Sequence, residues 1–96
     1  DSFEPKVEVK EREQEYIVKA EIPGIPEKDL HVTLRDNCLI LDGEKRNEEE
    51  KEERGMYRSE FSYGSFYRAI PFEQEVDPAK VNATYKHGVL KVHVAK

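Results

Sequence analysis

No stretch of this chain approaches the roughly 18 consecutive apolar residues of a membrane-spanning helix, and its N-terminus has no signal-peptide pattern. A lone cysteine, Cys38, leaves no internal disulfide to form and suits a reducing compartment, so the expected location is the cytoplasm. Basic residues are the minority: 16 Lys and Arg stand against 21 Asp and Glu, for a net charge of -5. Nucleic acid is therefore not an expected partner, because phosphate contacts need clustered cations. Also missing are a Gly-rich phosphate loop, a nucleophile elbow and any His, Cys, Asp or Glu at metal-ligand spacing. The carboxylates of the Glu44–Arg54 run are too exposed to hold catalytic geometry. These absences argue against an enzyme, a metal site and a cofactor.

What remains is a highly charged chain of 96 residues, room for one domain and one core. Charged residues make up 39% of it and the mean hydropathy is -0.87, values at which disorder must be considered first. Leu, Ile, Val and Phe nevertheless supply about a quarter of the residues, above the roughly 20% below which such chains stay unfolded. A thin core under a wet surface is expected. So small a core gains from self-association, which buries what the monomer leaves open.

The apolar residues alternate with polar ones, the period of a half-buried strand. Val7 and Val9 alternate with Glu8 and Lys10, and Tyr16, Val18, Ala20 and Ile22 share one face as far as Pro23-Gly24. After a short turn at Pro26–Asp29, Leu30 to Leu34 alternates again, and Asp36-Asn37 reads as a tight hairpin turn. Cys38 to Leu41 is apolar on both faces and is expected to lie between layers. Glu44 to Arg54 is charged at every position except Asn47 and offers no apolar stripe to dock a helix, so a mobile loop is expected there. Two strands follow, Met56 to Phe61 and Phe66 to Phe72, separated by Tyr63-Gly64. Asp77-Pro78 predicts one short capped turn. Val81 to Tyr85 and Leu90 to Val94 complete the set, joined by a turn at His87-Gly88. About eight short strands with closely spaced turns describe an all-β, antiparallel, immunoglobulin-like sandwich. His31 and His93 alternate onto polar faces and His87 sits in a turn, so solvated histidines are expected, with Cys38 an inert core thiol.

The run Ala83-Thr84-Tyr85-Lys86-His87-Gly88-Val89-Leu90 resembles the A-x-x-x-n-G-V-L signature of the α-crystallin domain of small heat-shock proteins, with His87 where Asn is usual. Ala20 to Gly24, Leu39 to Glu44, Gly64 to Pro71 and the Val76-Asp77-Pro78 turn are similar to the same family in the same order, and they cover nearly the whole chain. The long charged insertion resembles bacterial and plant members more than animal crystallins.

That resemblance implies an α-crystallin domain over residues 1–96, the central part of a longer protein with an N-terminal arm and a C-terminal tail. The Val92/Val94 and Leu39/Leu41 pairs are ordinary strand alternation and do not supply the family's aliphatic tail motif. The resemblance implies two interaction surfaces. In one, the charged loop carries the strand Met56, Tyr57, Arg58, Ser59, Glu60 and Phe61 to a second copy, in an isologous dimer. The alternative is a hairpin folding back within one chain. Arg68 falls on the face of Phe66 and Ile70, and the resemblance sets it near that interface with carboxylate partners; a surface Arg at a twist in the strand is the other reading. The second surface is a tail-binding groove with Val32 and Leu34 on one wall and Val81 and Ala83 opposite. The function implied is an ATP-independent holdase, cytoplasmic, whose partners are itself (as a dimer and in higher oligomers) and unfolding client proteins. The alternative is a CS-type sandwich that docks onto a larger ATPase chaperone.

Overall fold

A computed structural model describes residues 4–53 and 56–96, with side chains described for residues 4–44 and 64–96. Seven strands form: β1 (Lys6–Glu11), β2 (Glu15–Glu21), β3 (Leu30–Arg35), β4 (Cys38–Glu53), β5 (Met56–Pro71), β6 (Val81–Lys86) and β7 (Val89–Ala95). They make two antiparallel sheets, one ordered β1-β2-β7-β6 and the other β3-β4-β5. The expected sandwich is present.

Its core sits where the alternation puts it. Tyr16, Val18, Ala20 and Ile22 are buried, and Val94, Val92 and Leu90 of β7 stand directly opposite the first three. Leu39, Leu41, Phe66 and Ile70 face them from the other sheet. Truncating a fully enclosed leucine such as Leu39 or Leu41 to alanine costs about 2–5 kcal/mol, because both the transfer energy and a cavity are lost. Tyr16 stacks on Phe72 with ring centroids 4.5 Å apart, and the Lys96 ammonium lies 4.9 Å from the Tyr16 centroid. Gly43 is required by contact: a Cβ there would lie 2.8 Å from Phe66 Cε1 and 3.1 Å from the Asp29 carbonyl.

The turn chemistry holds. Asp36 and Asn37 have φ of 52° and 61°, and His87 and Gly88 have 52° and 76°, the left-handed pairs that close two-residue hairpins. Asp77 caps its turn by accepting the Ala79 amide at 2.9 Å through Oδ1, while its carbonyl accepts Lys80 N at 3.0 Å. The short turn after Pro26 is a single 3-10 turn, Glu27–Asp29.

Three expectations need correction. The run from Glu44 to Glu53 is strand rather than loop, paired residue by residue with Met56–Ser65 (Arg54 lies outside the described residues). The two strands expected over 56–72 are one, β5, running through Tyr63 and Gly64, so the strands number seven. The run 44–53 shows no alternation of apolar and polar residues, so its pairing leaves nothing for a hydropathy reading to detect. Finally, β4 is enclosed on one side only: Leu39 and Leu41 are buried while Cys38 and Ile40 are half-exposed, because no third layer covers the three-stranded sheet.

Candidate functional site

Each sheet ends in two strands with one unpaired edge, and the two sheets stack so that these edges meet at opposite sides of the sandwich. At one side β3 lies over β6; at the other β5 lies over β1, where Arg68 Nη1 donates to the Pro5 carbonyl at 3.3 Å. Burial identifies both sides as open. Ala83 stands opposite the buried Val92, on the core side of its sheet, yet is exposed. Val9 stands opposite the buried Val18, also on the core side, and is 47% exposed. A side chain that faces the core yet reaches water marks a sandwich left uncovered.

The β3–β6 side forms a groove of about 190 Å³, lined by Leu30 and Val32 from β3, Ala83, Thr84 and Tyr85 from β6, Leu90 behind, and Glu27 at the rim. Tyr85 fixes one end. Its hydroxyl lies 2.7 Å from the carbonyl oxygens of both Ile22 and Ile25, sharing one proton between two acceptors and tying the 22–25 segment to β6. Burial raises the Tyr85 pKa above the ordinary 10.0. Of the four residues expected here, Val32 and Ala83 meet across the groove. Leu34 and Val81 lie further along the same strands, half-buried against the core and outside the lining. Sequence reading missed Leu30 and Tyr85, each two residues from one it found. Alternation could have supplied both; it could not say which end of β3 faces which end of β6, because strands of different sheets share no hydrogen-bonded register.

On the β1–β5 side the core-side Val9 reaches solvent. Arg68 is half-buried on the face of Phe66 and Ile70, as its spacing implied, and its bond to a main-chain carbonyl is one that sequence reading did not foresee. Met56 to Phe61 pair with Glu48–Glu53 of the same chain; the side chains of these six candidate interface residues lie outside the described ones. The register sets Glu49 opposite Glu60 and Lys51 opposite Arg58, positions at which like charges repel.

Elsewhere, His31 Nδ1 lies 3.1 Å from Asp42 Oδ1 and His93 Nδ1 lies 2.9 Å from Glu15 Oε1. These histidines face outward as expected, but each has a carboxylate beside it. Among the described residues no group of three His, Cys, Asp or Glu is arranged to hold a metal, and no helix is long and apolar enough to cross a membrane.

The two sheets thus form an antiparallel sandwich that is open along both sides. Residues 8–96 match the family model described as "Hsp20/alpha crystallin family", and the chain belongs to that family. It is 39% identical over 95 residues to spore protein SP21 of Stigmatella aurantiaca, covering 99% of this chain and 56% of that protein. It is 40% identical over 91 residues to the alpha-crystallin of Mycobacterium tuberculosis, covering 94% of this chain and 60% of that one. Among solved structures, heat shock protein 16.0 of Schizosaccharomyces pombe superposes with a TM-score of 0.79 at 27% identity, over 99% of this chain and 68% of that one. A small heat-shock protein from Xylella fastidiosa gives 0.76 at 30% identity, over 100% and 88%; its structure is described as having a distinct high order structure. The chain thus spans little more than half the length of the curated relatives named here.

Proposed function

We propose that this chain is the core of an ATP-independent chaperone that holds partly unfolded proteins and catalyses no reaction. Membership of the small heat-shock family supports the chaperone role. The observation that carries the mechanism is the pair of open edges, where the core-side residues Val9 and Ala83 reach solvent beside unpaired backbone. Such edges bind extended segments by strand addition, with pockets for alternate side chains. The β3–β6 groove, lined mainly by the apolar Leu30, Val32, Ala83 and Leu90, takes an extended aliphatic segment. The β1 edge takes residues 56–61 of a second copy, in both directions by two-fold symmetry. A two-stranded ribbon alone is marginal in water, and the like-charge positions of its register weaken it further, so exchange relieves a ribbon that has little to hold it. The net charge of -5 keeps complexes with clients soluble.

Two measurements test this. Sedimentation at micromolar concentration should give a dimer. A heated client protein, followed by light scattering without nucleotide, should scatter less in the presence of the chain; unchanged scattering at equimolar ratio sinks the holdase reading.

A further inference from the structure

The outward face of the four-stranded sheet carries a charge pattern that neither open edge explains. Lys19 on β2 stands directly opposite Lys91 on β7, both exposed, at the middle of the sheet. They line a depression of about 180 Å³ together with Lys10, Arg12, His93 and a single acid, Glu8. His93 already has Glu15 beside it. Among the described residues no carboxylate pairs with Lys10, Arg12, Lys19 or Lys91. Like charges directly opposite on a sheet are destabilising; Lys19 has Glu8 of β1 opposite it on its other side, whereas Lys91 has only Thr84 of β6. In a chain with five more acids than bases, this depression gathers four Lys and Arg side chains against one acid.

The same chain contains its complement. Residues 48–53 read Glu-Glu-Glu-Lys-Glu-Glu, and they are the partners in register of 56–61. We propose that the cationic face around Lys19 and Lys91 receives the acidic 48–53 arm of a second copy, whose 56–61 strand adds to the adjoining β1 edge. This rests on the exchange reading above. It adds to it a contact on the sheet face that sets partner choice and makes dimerisation sensitive to salt.

A charge-swap pair tests it. One variant reverses the face (Lys19→Glu with Lys91→Glu); the other reverses the arm (Glu49→Lys with Glu50→Lys). Each homodimer then opposes like charges, whereas a mixture of the two variants restores attraction at both contacts of the heterodimer. Sedimentation and native mass spectrometry should show each homodimer weakened on the order of tenfold or more, with heterodimers recovering wild-type affinity. Heterodimer formation also demonstrates that both variants fold. Homodimers as tight as wild type overturn the face contact and leave strand exchange standing. A wild-type chain that is monomeric at micromolar concentration overturns both. Unchanged homodimers, with the face-reversed variant alone losing retention on a phosphate-bearing resin, assign the face to a phosphorylated ligand and also overturn the proposal.

Discussion

The two open sides of the sandwich solve the same problem differently. At β3–β6 one wall is the aliphatic pair Leu30 and Val32, the strand opposite carries the small Ala83 beside Thr84, and Tyr85 braces the end against two carbonyls, so a shaped groove results. At β1–β5 the core-side residue Val9 reaches solvent, and Arg68 closes part of the gap by reaching the Pro5 main chain. Under the proposed function, side-chain pockets select what enters the first, and backbone pairing and charge select what joins the second. On that reading one fold keeps two kinds of partner apart, because a charged strand finds little polar to meet in the groove.

Four substitutions break or sharpen this contrast, in order of decreasing effect. Asn37→Ala should destabilise the whole domain by about 2–4 kcal/mol, measured by chemical denaturation, and impair both sides together on warming. Its side chain donates to the Phe72 and Gln74 carbonyls at 3.1 and 2.9 Å and accepts Val76 N at 2.9 Å, which anchors the β5–β6 connection to the β3–β4 turn. Ala83→Trp should fill the groove and weaken binding of an Ile-x-Ile peptide about 100-fold by fluorescence anisotropy, leaving the dimer intact. An unchanged peptide affinity would remove the groove from the mechanism. Val9→Asp is the mirror experiment: a charge on the core side of the β1 edge should raise the dimer dissociation constant about 30-fold with peptide binding untouched. Equal loss of both functions would mean that the two sides are coupled.

The smallest effect is expected of Tyr85→Phe, about 1 kcal/mol, since one shared hydrogen bond is lost and two carbonyls go short of a donor. It has a pH signature. The folded-state pKa of Tyr85 is raised by burial, so the folded protein holds the phenolic proton more tightly than the unfolded chain. That contribution is complete below pH 10.0 and fades as pH climbs through the raised value. The wild type should therefore lose stability with rising pH over that range more steeply than the Phe variant, and parallel alkaline denaturation curves would refute the assignment.

Much of the architecture was legible from residue order. Alternation marked the buried faces of β2 and β7, because one covered face and one wet face impose a period of two. Asp36-Asn37 and His87-Gly88 declared their turns because few residues accept positive φ. The charged run 44–53 concealed its strand for the converse reason: charged at all but one position, it has no alternation, and pairing alone leaves no trace in hydropathy. Asn37 read as a turn residue and nothing more; its three bonds to residues 72–76 join segments that only the folded chain brings together.

The sequence by itself determined a folded, acidic β-sandwich, its turns, and the family to which its ordered motifs belong, since each of these depends on local spacing. Tertiary structure alone decided which edges stay open, which end of the groove Tyr85 closes, and that Lys19 faces Lys91. Those features depend on how one sheet stacks on the other and on registers between strands far apart in the chain, where no local rule of side-chain alternation reaches.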